Sequence, residues 1–253
     1  MQPYLQNAKT APAIERLQSP EEREKLDGLR RDIDASGTIE ALDDFDQAAV
    51  NLLTSPRARD AFDLSKEPDR VRDRYGRHQW GQQCLMARRL VEAGVEIITT
   101  EFDGPLCGRV ANWDDHAVNH HVFQAIKHRA PYFDQAISAL IEDVYQRGLD
   151  KRVMVVVTGE FGRTPKINSK GGRDHWGRLC TLALAGGGLR MGQVIGESSP
   201  RIEVPAARPV TPQDLMATIL HMYGLDYRLQ YVNNQGRPTY LIEDGQPIAE
   251  LVS

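Results

Sequence analysis

Apolar runs along the chain predict short buried strands that alternate with amphipathic helices. The clearest strand signal is at residues 153–158, an unbroken run of mostly β-branched residues that stops at Gly159. Such a run is typical of a strand buried on both faces of a parallel sheet. Residues 95–100 and 182–185 have the same character. Apolar residues spaced for a helix lie between the first two runs and end at Gly148, so their order predicts a βαβ unit.

Start and stop signals predict further helices. Ser19 and Thr211 each precede a proline, which combines an N-cap residue with the residue favoured at the first helical position. Gly94 is a C-cap signal at the end of another apolar period. The remaining predicted helices cover residues 41–53, 71–75 and 80–92.

Composition limits the classes of protein to consider. The first quarter of the 253 residues contains no predicted strand, so we divide the chain into a helical N-terminal segment, residues 1–66, and an α/β domain, residues 67–253. A net charge of -4 without a basic face argues against nucleic acid. No apolar run approaches the roughly 20 residues that cross a bilayer, and the polar N-terminus predicts a cytoplasmic protein. Cys84 and Cys180 lie in apolar contexts and are predicted core residues.

Acidic and histidine side chains gather where the predicted strands end. Asp114 and His116 are two positions apart, so in an extended loop their side chains point the same way, and this pair suits zinc or manganese. Glu160 follows the run at 153–158 and is a candidate oxygen ligand. His175 is a further candidate, and the Arg163 guanidinium suits a phosphate, sulfate or carboxylate. The carboxyl ends of strands in open α/β sheets bind ligands, which predicts a site at this edge.

Structural roles explain Asp174, His175 and Glu160 about equally well from spacing alone. Asp174 could pair with a neighbouring arginine while His175 caps a loop, and Glu160 could form a salt bridge with Arg163. The chain has no Gly-x-Ser-x-Gly motif, which disfavours a serine hydrolase.

Several segments carry a more specific signal. They are Trp113-Asp-Asp-His, Gly159-Glu-Phe-Gly-Arg-Thr-Pro, Gly172-Arg-Asp-His-Trp and Gly192-Gln-Val-Ile-Gly. From about Glu67 onward, the chain closely resembles the bacterial family called domain of unknown function 1501. That family resembles the alkaline phosphatase and sulfatase superfamily. The resemblance implies a three-layer α/β sandwich with a mostly parallel sheet, of which this chain holds the C-terminal half.

The resemblance also implies a metal-dependent hydrolase of phosphate or sulfate esters. Carried over residue by residue, it assigns a divalent ion, zinc, manganese or calcium, to Asp114, His116, Glu160 and His175. Asp174 is then expected to orient His175, and Arg163 to face a small anionic ester. Glu160 stands where the superfamily has an Asp-His pair, which removes one ligand. The nucleophile segment is missing, so the catalytic residue is unknown and the alternative is a non-catalytic remnant or anion-binding module.

Two further expectations follow from the resemblance. Members of the family are often exported, in contrast to the cytoplasmic location that this sequence alone predicts. If the first strands of the sheet are missing, the strand at 95–100 or 153–158 presents an unpaired apolar edge. Such edges recruit other chains, which predicts a homodimer through the sheet edge.

Overall fold

The computed structural model of the protein describes residues 55–107, 109–110, 112–116 and 121–252. These residues form two compact units. The first unit contains the described residues up to Trp113 together with residues 126–140. The second unit contains the described residues of the range 114–125 and the described chain from Ile141 onward. The helices predicted at Ser19 and at residues 41–53 lie outside the described residues, and the boundary predicted between residues 66 and 67 stays a prediction.

The helices follow local sequence signals closely. The predicted helices at residues 71–75 and 80–92 are confirmed, and Gly94 ends the second of them in the left-handed conformation, at φ 104°. Ser55 caps the first helix, because its hydroxyl accepts a hydrogen bond from the Ala58 N–H. Up to residue 146 the helices are α1 Pro56–Phe62, a 3-10 turn at Leu64–Lys66, α2 Asp69–Tyr75, α3 Gln79–Ala93 and α4 Val122–Gln146.

The first unit has an aromatic core with a buried ion pair beside it. Trp80 is fully buried and stacks on Phe102, with ring centroids 5.0 Å apart. The Arg88 guanidinium lies 2.9 Å from the Glu67 carboxylate, and both side chains are buried. Arg89 also contacts Glu67. The buried members of the core are Leu64, Tyr75, Trp80, Cys84, Leu85, Met86, Leu106, Ala136 and Ala139.

The strands of the described residues pair in five two-stranded sheets, all antiparallel. The chain is thus an α/β-type protein of helices and small antiparallel sheets; the mostly parallel sheet and the βαβ unit predicted from the sequence are wrong, and a three-layer sandwich is not confirmed. The pairs are β1 Pro105–Leu106 with β2 Arg109–Val110, β3 Met154–Val157 with β6 Ala183–Gly186, β4 Gly162–Arg163 with β5 His175–Trp176, β7 Glu197–Ser198 with β8 Pro205–Ala207, and β9 Gln230–Val232 with β10 Pro238–Tyr240.

Two apolar runs explain why the predicted parallel sheet is wrong. The run at 153–158 does form β3, but β6 pairs with it antiparallel and its four residues are only half-buried. The run at 95–100 forms no strand in the described chain. The first residue of this run, Val95, ends α3, because its N–H donates to the Leu90 carbonyl. Ile97, in the middle of the run, is 75% exposed. Hydrogen bonds to a neighbouring strand hold a β-strand in a sheet, so an apolar run without a partner strand does not form one.

The second unit ends in two further helices, α5 Pro212–Met222 and α6 Ala249–Val252. The predicted start of α5 is confirmed, because Thr211 and Asp214 form a capping box around Pro212. No helix of the described residues is both long and apolar enough to cross a membrane. The predicted homodimer through a sheet edge stays a prediction.

The three cysteines have contrasting surroundings. Cys84 is buried in the first-unit core, as predicted, and burial raises the pKa of its thiol to about 12. Cys107 in the first unit and Cys180 in the second are exposed, so the prediction that Cys180 is a core residue is wrong.

Candidate metal centre

The candidate site is built on the β4–β5 hairpin of the second unit. Arg163 on β4 stands directly opposite His175 on β5, and Gly162 stands opposite Trp176. Residues directly opposite one another in an antiparallel pair project from the same face. The hairpin therefore places the guanidinium and the imidazole side by side, although Arg163 and His175 are 12 positions apart in the chain.

Gly162 determines which face of the hairpin carries these side chains. A Cβ at this position would lie 1.9 Å from the carbonyl oxygen of Leu179, closer than any real contact, so the backbone of Leu179 occupies that face. Side chains alternate between the two faces of a strand. Arg163, the next residue, must therefore project to the opposite face, toward the site.

A tight turn brings two more side chains to the hairpin. The His116 N–H donates to the Asp114 carbonyl at 3.0 Å, which makes a three-residue turn in place of the extended loop that the sequence predicted. The His116 Nδ1 lies 2.8 Å from Asp114 Oδ1. The Arg173 N–H donates to the Asp115 carbonyl at 2.8 Å, and this bond ties the turn to the hairpin.

Three side chains converge on one oxygen of Asp114. Its Oδ1 accepts a hydrogen bond from Arg163 Nη2 at 2.9 Å and lies 2.9 Å from His175 Nε2, in addition to the contact with His116. The ligand atoms of Asp114, His116 and His175 all lie within 4.8 Å of one another. We call these three residues the Asp114 cluster.

The surroundings of the Asp114 cluster keep its carboxylate ionised. The hydrogen bond from His175, then that from Arg163, lower the pKa of Asp114 to about 2. Its side chain is 57% exposed, so burial opposes this shift only weakly. At neutral pH the cluster therefore presents a negative oxygen ligand beside two imidazoles, in a place that solvent and small molecules reach.

An aromatic ring that sequence reasoning missed completes the site. The Phe161 and His175 ring centroids are 4.4 Å apart, and the His116 ring is also 4.4 Å from that of His175. The Arg163 guanidinium lies 5.9 Å from the centre of the Phe161 ring. The signal that the sequence offered for this neighbourhood is the closeness of Phe161 to Arg163 along the chain.

Glu160, one of the predicted ligands, is not a member of the Asp114 cluster as found among the described residues. It is an exposed residue in the loop after β3. Its role as a metal ligand stays a prediction.

Asp174 stabilises the loop between β4 and β5. Its carboxylate accepts a hydrogen bond from the Asn168 side-chain amide at 3.1 Å, and its backbone N–H donates to the Thr164 hydroxyl. Arg173 donates to the carbonyls of Thr164 and Pro165. These bonds hold the residue next to His175 in place, and the expected direct orientation of His175 by Asp174 stays a prediction.

A protein-family model matches nearly the whole chain. A family model described as "Protein of unknown function (DUF1501)" matches residues 2–252. The match includes the segment before Glu67, which lies outside the part of the chain that carries the motif resemblance. No curated protein and no solved structure matches the chain.

Proposed function

The chain belongs to the DUF1501 family, whose description names no reaction, and from its site we propose that it is a metal-dependent hydrolase of phosphate or sulfate esters. The observation that carries this proposal is the convergence of Asp114, His116 and His175, with Arg163 beside them. The ester class is supported by the resemblance of the site motifs to those of the alkaline phosphatase and sulfatase superfamily.

The donor set of the Asp114 cluster fits zinc best. One carboxylate and two imidazoles are the ligands of many catalytic zinc sites, which keep a further position open. Two ligands at about 2.1 Å from one tetrahedral ion lie about 3.4 Å apart. Ligand atoms within 4.8 Å therefore reach a common ion by small side-chain rotations. Calcium prefers six or more oxygen ligands and manganese favours oxygen, so two nitrogens out of three favour zinc over both.

Each residue of the site then has a defined task. A bound divalent ion supplies Lewis-acid polarisation of the ester and acidifies water. Asp114 contributes negative charge, and its low pKa keeps it available as a ligand throughout the neutral range. His116 Nδ1 and His175 Nε2, which both contact Asp114 Oδ1, would supply the two nitrogen ligands of that ion. The planar guanidinium of Arg163 is suited to hold two oxygens of a phosphate or sulfate group.

Metal binding by matched variants tests the first half of the proposal. The full chain, stripped with a chelator and titrated with zinc in competition with a chromophoric chelator, should bind one ion per chain. His175→Ala removes a ligand and should weaken binding by more than about 100-fold, since losing even an outer-shell partner costs 10- to 100-fold. His221→Ala is the control, because His221 is an exposed histidine in the last turn of α5, and it should bind zinc like the unmodified chain.

Turnover tests the second half. The zinc-loaded chain should hydrolyse an aryl phosphate or an aryl sulfate, and His175→Ala and Arg163→Ala should each lower the rate. If the chain binds one zinc ion but hydrolyses neither ester, the hydrolase proposal is contradicted and only the metal centre is supported. Absence of zinc binding would contradict the metal centre itself.

The composition of the Asp114 cluster supports a second candidate, an anion-binding module. Among the described residues, the cluster holds a single carboxylate, and Arg163 already bonds to it. A zinc ion there would leave the site positively charged, which suits capture of a phosphate or sulfate without hydrolysis. Calorimetric binding of inorganic phosphate or sulfate to the zinc-loaded chain, together with absence of turnover, would identify this function.

A further inference from the structure

We propose that Phe161 is a positioning residue that holds the His175 imidazole ready for metal binding. This inference rests on the proposed metal centre, and it concerns a residue that cannot itself coordinate an ion. The observation behind it is the contact between the two rings, whose centroids are 4.4 Å apart at an interplanar angle of 46°. Aromatic pairs at this distance stabilise a structure by more than the burial of their apolar surface alone.

The Phe161 ring lies with the side chains of Arg163 and His175. Gly162 lies against the carbonyl of Leu179, so Arg163, the next residue of β4, projects to the opposite face. His175 stands opposite Arg163 across the β4–β5 pair and shares that face. Phe161 directly precedes β4, and its ring reaches the same face, with its centroid 4.4 Å from that of His175 and 5.9 Å from the Arg163 guanidinium.

Of the two histidines in the Asp114 cluster, His175 is the one that most needs such a neighbour. Its side chain is 52% exposed, whereas that of His116 is 27% exposed and lies in a tight turn with Asp114. A half-exposed side chain loses rotamer freedom when it becomes a ligand, and this loss weakens binding. The half-buried Phe161 ring, packed against the imidazole, already restricts its rotamers before an ion binds, so less rotamer freedom is lost on binding. Preorganisation of this kind is worth about 2- to 10-fold in affinity for one side chain.

The test compares variants at position 161 in the full chain. Phe161→Ala should weaken zinc affinity by about 2- to 10-fold, Phe161→Leu by a smaller factor, and Phe161→Tyr should bind within about 2-fold of the unmodified chain because it keeps the ring. Tyr231→Ala, at an exposed aromatic residue on β9, is the control and should leave zinc affinity unchanged. Equal zinc affinity of Phe161→Ala and the unmodified chain would overturn the proposal.

A spectroscopic measurement on the metal-free chain separates this proposal from the proposed function. The ring protons of His175, assigned in NMR spectra by their loss in His175→Gln, should carry a ring-current shift that disappears in Phe161→Ala and returns in Phe161→Tyr. If the chain binds no zinc, the proposed function fails, and an unchanged His175 signal in Phe161→Ala would then also refute the positioning role. If Phe161→Ala does not fold, Phe161→Leu decides both readouts.

Discussion

Two arginine–carboxylate pairs, one in each unit, have the same chemistry in opposite surroundings. In the first unit, the Arg88 and Glu67 side chains are 2% and 8% exposed. In the second unit, those of Arg163 and Asp114 are 24% and 57% exposed. The nitrogen–oxygen distance is 2.9 Å in both pairs. Distance alone therefore does not tell a structural pair from one that a ligand can use, whereas burial does.

The pKa shifts of the two carboxyl groups show the same contrast. Burial acts to raise the pKa of Glu67, and the hydrogen bonds from Arg88 and Arg89 outweigh it, so that the net shift is downward. Asp114 reaches a low pKa with little burial to oppose it. The first carboxylate depends on its arginines to remain charged inside the protein, while the second remains charged in contact with water.

The largest effect is expected from removing the buried carboxylate. Glu67→Ala takes one partner from Arg88 and one from Arg89, and should lower the free energy of unfolding by about 3 kcal/mol. This is the lower end for a broken buried pair, because Arg88 keeps its ion pair with Glu92. Urea unfolding of the full chain measures the change.

An exposed pair of the same unit is the control for Glu67→Ala. Arg77 contacts Asp69, whose side chain is 85% exposed, and Asp69→Ala should leave the unfolding midpoint unchanged. If both substitutions had equal effects, burial would not be what distinguishes the two kinds of pair.

An intermediate effect is expected at the glycine that orients the site. Gly162→Ala places a methyl group against the Leu179 carbonyl and should cost about 1–3 kcal/mol of stability, as overpacking does. Because Arg163 and His175 then shift, zinc affinity should fall as well. Gly177→Ala is the matched control, since nothing lies within 4 Å of its added Cβ, and it should be neutral in urea unfolding and in zinc titration.

The smallest effect on stability is expected from the exposed pair. Asp114→Asn should lower the free energy of unfolding by less than about 1 kcal/mol, because exposed ion pairs contribute little. The folded-state pKa of Asp114 is about 2 and its ordinary value 3.8, so the carboxylate stabilises the fold above pH 3.8 and loses this effect as the pH falls toward 2. The stability difference between the two chains should therefore be constant above about pH 4 and shrink below it. A difference that grew toward low pH would contradict the assigned bonds.

The helices could be predicted from the sequence because their signals are local. The apolar period of α3 and the left-handed Gly94 after it lie within one segment of chain. Thr211 and Asp214 likewise form their capping box across a single turn. Such patterns do not depend on which distant residues pack against them.

The sheets could not be predicted because a strand depends on its partner. The β-branched run at residues 153–158 signals a strand but not the direction of its neighbour, and β6 pairs with it antiparallel. The run at 95–100 has a similar composition and forms no strand in the described chain. The composition of a segment shows that it is suited to a β-sheet, but it does not show where in the fold a partner strand lies.

The candidate site could be predicted less completely than the helices and more completely than the sheets. Asp114, His116, His175 and Arg163 were predicted from their chemistry as neighbours, and the structure brings them together. The route differs from the prediction, because an antiparallel hairpin and a tight turn replace the ends of parallel strands. Phe161 was missed because an apolar residue next to a charged one carries no chemical signal of its own.

The distribution of thiols makes the chain suited to distance measurements in solution. Cys107 and Cys180 are exposed and belong to different units, while the buried Cys84 thiol, with its raised pKa, resists alkylation. A maleimide dye pair or two nitroxide spin labels would thus attach at one point on each unit without any added cysteine. Energy transfer or electron–electron resonance between the labels would report the separation of the units, and its response to zinc or phosphate, in the unmodified sequence.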